Sequence, residues 1–193
     1  MRKLIVCNIV SIDGFYSGPG GDVMIMPFDH PFSDYNATRL RAADTWLLGR
    51  RSFEGFKDYW PPIADDPNAP PVEREISRLN GAIDKVVVSD SLTDADLAPW
   101  TNTRIVRRAD AHQAIAELKR TDGREILMFG SHVLWNDLLR AGMVDELHLM
   151  IGAAFLGDGV PVFEGPRTPL RLLGARVMDG SQLILAKYAA GAA

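Results

Sequence analysis

Apolar positions along the chain fall into short continuous runs separated by segments of helical period. Leu4–Ile12 is nearly all apolar and rich in Ile and Val, which predicts a strand buried on both faces. Ser33-Asp34 is placed to cap a helix reaching about Ala43, and Thr45–Leu48 predicts a second buried strand closed by Gly49. Five of the twelve prolines lie between Pro61 and Pro71, which marks a loop; Pro71 then opens a helix that Gly81 stops. Strands are predicted at Lys85–Val88, Thr103–Val106, Glu125–Phe129 and Glu146–Ile151. Asp110 is expected to cap a helix whose Ala111, Ala114, Ile115 and Leu118 share one face, and a further helix spans Val133–Ala141. Arg171–Met178 and Gln182–Tyr188 flank Asp179-Gly180, a hairpin signal.

Strands that alternate with helices predict an α/β fold of three layers, with a mostly parallel central sheet and a C-terminal antiparallel hairpin. One domain is expected over residues 1–190. In such sheets ligands sit at the carboxyl ends of the strands. That points to Ser11–Gly14, Gly49–Phe53, Ser89-Asp90 and Gly130–His132.

Composition narrows the class. With 47% apolar residues among 193, the chain has enough to bury a core. A net charge of −4 without a basic stripe argues against nucleic-acid binding. Cys7 is the only cysteine, so an internal disulfide is excluded and a reducing, cytoplasmic setting is expected. The first apolar run is broken by Asn8 and lacks a cleavage site, and no stretch reaches the roughly 20 apolar residues of a membrane span.

Gly49-Arg50-Arg51-Ser52 follows a buried strand, with a helix expected to begin near Ser52. Two arginines and a hydroxyl beside a helix N-terminus suit a phosphate, although a solvated basic turn has the same composition. Gly130-Ser131 sits between a strand and a helix, where small residues allow close approach of a ligand or simply a tight turn. Asp13-Gly14 either orients a ligand or shapes a turn. The histidines and Cys7 have no metal-ligand spacing, and His132, the one beside a candidate site, reads as structural. Neither a nucleophile elbow nor a Walker loop is present, so orientation of a bound cofactor is the chemistry left.

Taken in order, Val10–Gly14, Leu48–Glu54, Lys85–Ser89, Ile126–Ser131, Val144–His148 and Phe155–Phe163 resemble the dihydrofolate reductase-like superfamily. The branch that matches best contains the C-terminal reductase domain of the bifunctional riboflavin-biosynthesis enzymes. The resemblance implies NADPH, with Gly49, Arg50, Arg51 and Ser52 at its phosphates. It also implies Ser89 and Asp90 toward the adenosine, and Gly130 and Ser131 at the pyrophosphate and nicotinamide. Ile12, Asp13 and Gly14 would lie beside nicotinamide and substrate. Dihydrofolate reductases place an acid at the start of the helix after the first crossover. Here that position is Ser33, with Asp34 adjacent, so Asp34 is either the ligand-facing acid or a cap.

The riboflavin-type substrate carries a ribose phosphate, for which Arg39 and Arg41 are candidates. Phe28, Phe32, Ser33 and Trp46 are expected to line the substrate side, with Met26 beside them, and Asp13 or Asp34 to supply a proton unless water does. Three readings follow: a reductase acting on a C=N or C=O of a small heterocycle, dihydrofolate reductase itself, or a non-catalytic nucleotide-binding domain. A homodimer using Leu147–Leu156 is the expected assembly.

Overall fold

The structure is a computed structural model that describes residues 1–191. The first apolar run forms β1 (Leu4–Val10), all seven residues of which are buried. It leads into a short β2 (Phe15–Ser17). Helix α1 (His30–Ala42) follows, then β3 (Ala43–Gly49) and α2 (Arg50–Tyr59). The proline-rich loop holds one 3-10 turn, Pro61–Asp65, before α3 (Pro71–Ala82). Strands β4 (Asp84–Val88) and β5 (Thr103–Val106) precede α4 (Ala111–Arg120), and β6 (Glu125–Phe129) precedes α5 (His132–Arg140). The chain finishes with β7 (Glu146–Ile151), the two-residue β8 (Val160–Pro161), β9 (Leu170–Val177) and β10 (Ile184–Ala190).

The main sheet has the order β5-β4-β3-β6-β1-β7-β10-β9. Its first six strands run parallel, and β10 and β9 add antiparallel at the β7 edge. Because side chains alternate across a strand, β1 feeds both faces. Leu4 and Val6 join the core under α4 and α5 with Ile115, Trp135 and Leu138. Cys7 and Ile9 join the core under α1 and α3 with Tyr35, Leu40 and Ile76. The three-layer α/β arrangement expected from the alternation is therefore present.

Several local expectations differ. Helix α1 begins three residues before Ser33, because the Asp29 carboxylate accepts from Phe32 N at 3.0 Å and Pro31 fits the first turn. Neither Ser33 nor Asp34 is the cap. Asp110 makes no capping bond either: a 3-10 turn at Arg108–Asp110 gives it near-helical dihedrals in place of the extended backbone of a capping residue. Within the segment Leu147–Leu156, the β7 part is not a free surface, since β7 lies between β1 and β10 and buries Leu147 and Met150, while Phe155 beyond it is exposed. The exposed apolar edge is β9, all eight residues of which are exposed.

Candidate functional site

Strands β3, β6 and β1 are neighbours in the sheet, so their carboxyl ends bring three candidate turns together. Two of these turns are locked by reciprocal hydrogen bonds. Gly49 N donates to Ser131 Oγ at 3.0 Å, and Ser131 N donates to Ser52 Oγ at 2.7 Å. Both hydroxyls serve as acceptors here, which leaves each O–H proton available to a ligand. Gly130 N donates to Asn8 Oδ1 at 2.8 Å, fixing the same turn to β1.

The turn after β6 is unusual in having two consecutive left-handed residues, Gly130 at φ +59° and Ser131 at φ +54°. A Cβ on Gly130 would lie 3.0 Å from Ser52 Oγ and 3.3 Å from the Tyr16 hydroxyl oxygen, so glycine is required by space as well as by conformation. Helix α2 starts directly at Arg50, two residues earlier than the sequence predicts. No side chain caps α2 or α5, so the first-turn N–H groups of two helices remain available for an anion. Arg50 is half exposed and reaches Glu54 at 3.2 Å. Arg51 is exposed and has no carboxylate partner among the described residues.

Two helix N-termini, two hydroxyl protons and two exposed guanidinium groups are the donor set a phosphate requires. The chemistry of this donor set is compatible with a dinucleotide's phosphates, and one more polar group lies close by. Asn8 is 5% exposed and its Nδ2 has no hydrogen-bond partner, a buried donor of the kind that ordinarily finds one.

Other expected site residues fall differently. Ser89 is buried, and its hydroxyl accepts from Leu92 N at 3.0 Å; Asp90 accepts from Arg108 N at 2.9 Å. Both shape the turn after β4, on the same rim as Gly49. Ile12 is 52% exposed at the end of β1, while its backbone N–H bonds Ala154 O. Gly14 turns the chain at φ +83°. Asp13 accepts from Ser11 Oγ at 2.6 Å, Gly157 N at 2.8 Å and Leu156 N at 3.1 Å. The Ser11 hydroxyl, with those backbone amides, lowers its carboxyl to about 2. Asp13 is thus ionised at neutral pH and ties the first turn to the loop before β8; it holds no proton to give.

Phe28 and Phe32 pack ring against ring at 4.9 Å, with half-buried Ser33 beside them on α1. Asp34 points outward beside His30 at 3.4 Å. Trp46 is a correction: it is fully buried, packed on Phe56, Trp100 and Phe129, and belongs to the core rather than to a ligand surface. Met26 is buried as well.

Sequence reasoning missed Asn8 and Tyr16. Asn8 carried a signal, a polar residue breaking a buried strand. Tyr16 carried none, because its role depends on the β2–β8 pairing that places it beside His132, at 4.9 Å between rings. His132 itself bonds Pro161 O at 2.7 Å and holds this small sheet in place.

Comparison with known proteins agrees with this geometry. Residues 2–184 match the RibD C-terminal domain family. The uncharacterised protein YyaP of Bacillus subtilis is 32% identical over 164 residues, covering 84% of this chain and 80% of that protein. Among solved structures, a putative riboflavin biosynthesis protein from Shewanella sp. superposes with a TM-score of 0.68 at 17% identity, over 100% of both chains. Dihydrofolate reductase from Enterococcus faecalis, complexed with NADP(H), gives 0.55 at 16% identity over 97% of this chain and 94% of that one. These two likenesses show a shared dihydrofolate reductase-like fold. The family match extends over most of the sequence, and the chain belongs to the RibD C-terminal domain family.

Proposed function

We propose that the protein is an NADPH-dependent reductase that delivers hydride to a C=N or C=O bond of a small heterocycle, pterin-like or pyrimidine-like. The observation that carries this reading is the pair of serine-locked turns, which places two uncapped helix ends, Ser52, Ser131 and two arginines on one rim. NADPH, when bound, supplies a hydride from its nicotinamide ring. The chain supplies position, charge and dryness.

Arg50, Arg51 and the α2 amides hold phosphate, and an extra 2′-phosphate is what distinguishes NADPH from NADH. Gly130 leaves room for the ligand's backbone-side approach. The exposed Ile12 presents an apolar face at the end of β1, and Asn8 Nδ2 offers a donor to a carbonyl or amide oxygen. Asp13 keeps the adjoining loop closed on this turn. With Asp13 ionised and Asp34 turned outward, the proton that completes reduction comes from solvent.

A titration of the purified protein with NADPH, read by tryptophan fluorescence with NADH in parallel, tests the reading. Trp135 is buried in α5 one turn from Ser131 and is the reporter. Micromolar or tighter NADPH binding with clear preference over NADH is expected. No binding of either nucleotide removes the reductase assignment.

A further inference from the structure

The charges around the end of β1 are one-sided. From Ser11 to Thr38 the chain carries Asp13, Asp22, Asp29 and Asp34 and not one lysine or arginine. Residues 152–163 add Asp158, and the hairpin turn 178–183 adds Asp179, again without a cation. The structure brings these three segments together. Ile12 N bonds Ala154 O, Asp13 caps Leu156 and Gly157, Gly152 packs on Pro27, and Ser181 Oγ donates to Asp29.

The same region exposes apolar side chains. Ile12 is 52% exposed, Met24 73%, Ile25 49%, Phe28 38% and Phe155 76%. Of the cations around α1, Lys187 lies over the Tyr35 ring at 5.5 Å, on the β10 side of the helix, and the two that the resemblance offers are engaged. Arg39 pairs with Glu125 and Arg41 with Glu75 at 2.6 Å, which removes both candidates for a substrate phosphate. Lys57 Nζ donates to Asp96 O at 2.8 Å. Arg50 and Arg51 stand at the cofactor rim.

We infer that the substrate half of the cleft takes a planar heterocycle that carries no phosphate and is neutral or cationic. The inference rests on the reductase reading only for which half is the substrate's. A phosphomonoester brings about −1.5 to −2 charges at pH 7 and needs charge-assisted donors. Here it would meet carboxylates and apolar rings instead. The ribosyl-phosphate portion that the family resemblance implies therefore meets no lysine or arginine in these three segments, whereas an unphosphorylated ring can stack against Phe28 and Ile12.

The test uses matched probes: uridine against uridine monophosphate, and riboflavin against flavin mononucleotide, each titrated to about a millimolar. It is run with NADPH saturating, and again on Arg50→Ala/Arg51→Ala protein so that the cofactor rim cannot capture the phosphate. The expected result is at least tenfold tighter binding of an unphosphorylated member, weakened fivefold or more by Phe28→Ser. Equal or tighter binding of the phosphorylated member overturns the inference, as does indifference to Phe28→Ser. A silent panel overturns it too, because an open apolar cleft holds planar rings at millimolar concentration. Failure to bind NADPH would sink the reductase reading alone, since the arginine variant still reports the phosphate preference.

Discussion

Replacing Gly130 with alanine tests the site at its tightest point. The residue sits at φ +59°, where an L side chain costs roughly 1–2 kcal/mol. The added Cβ would lie 3.0 Å from Ser52 Oγ, so the hydroxyl must give way and its bond from Ser131 N is lost, about 1 kcal/mol more. A total of about 2–3 kcal/mol corresponds to a drop in Tm of roughly 4–12 °C for a domain of this length. Gly142→Ala is the control, because Gly142 has φ +68° and nothing within 4 Å of the new Cβ. It carries the backbone cost alone and lies away from the rim. Differential scanning calorimetry with NADPH titration of both variants separates the effects. Gly130→Ala should lose tenfold or more in NADPH affinity while Gly142→Ala keeps it. If both variants melt alike and bind NADPH like the parent protein, the serine-locked turns are not the nucleotide site.

Further predictions follow the same geometry. Arg51→Ala should weaken NADPH more than Arg50→Ala does, because Glu54 already competes for Arg50; allowing for exposure, about 1–2 kcal/mol or roughly 5–30-fold is expected for Arg51. NADH binding, measured beside it, should change little. Asp13→Asn should leave the pH–rate profile without any lost ionisation between pH 5 and 9, since the carboxyl already lies at about 2. Its contribution to stability is complete above the ordinary carboxylate range and fades as pH falls from about 4 towards 2, which acid melts of parent and variant would show. Lys85 is buried under Trp100 with its ammonium on Ile83 O, and burial lowers it to about 8. The unfolded chain therefore binds more protons between pH 8 and 10.5, so stability should rise across that range, and Lys85→Met should flatten the rise. The exposed β9 edge, with Leu172 and Val177 more than half exposed, is proposed as a homodimer surface. Light scattering should give two chain masses, and Leu172→Lys should return one; a parent protein that runs as a single chain contradicts the proposal.

The strands were legible because their apolar runs are compact and bounded by glycine, proline or aspartate; β5, β6 and β7 fall where the pattern places them. Helix starts were harder. The sequence reading gave Ser33-Asp34 the capping role, yet Pro31 in the first turn pointed to Asp29. At Asp110 a 3-10 turn replaced the cap altogether. The turns at Gly49 and Gly130 could be chosen from their position between strand and helix, but not that they bond each other, because that contact joins residues far apart in the chain. Trp46 shows the opposite limit: an aromatic near a candidate site has the same composition whether it faces a ligand or the core, and only its packing among three other rings decides. β2 and β8 are too short for any periodicity to reveal them.

The bonds that lock the rim span 79, 82 and 122 residues of chain. No fragment of the protein can assemble that rim by itself, so it exists only once the whole α/β core has closed, late in folding by the cost of long-range contacts. A nucleotide bound there has nothing to hold in the unfolded chain, and every contact it makes acts as a thermodynamic brake on unfolding. At a hundredfold excess over Kd that brake is worth about 2.7 kcal/mol. Nucleotide supply in the surrounding solution would then govern how long each molecule survives heat and proteases, independently of whether it ever turns over.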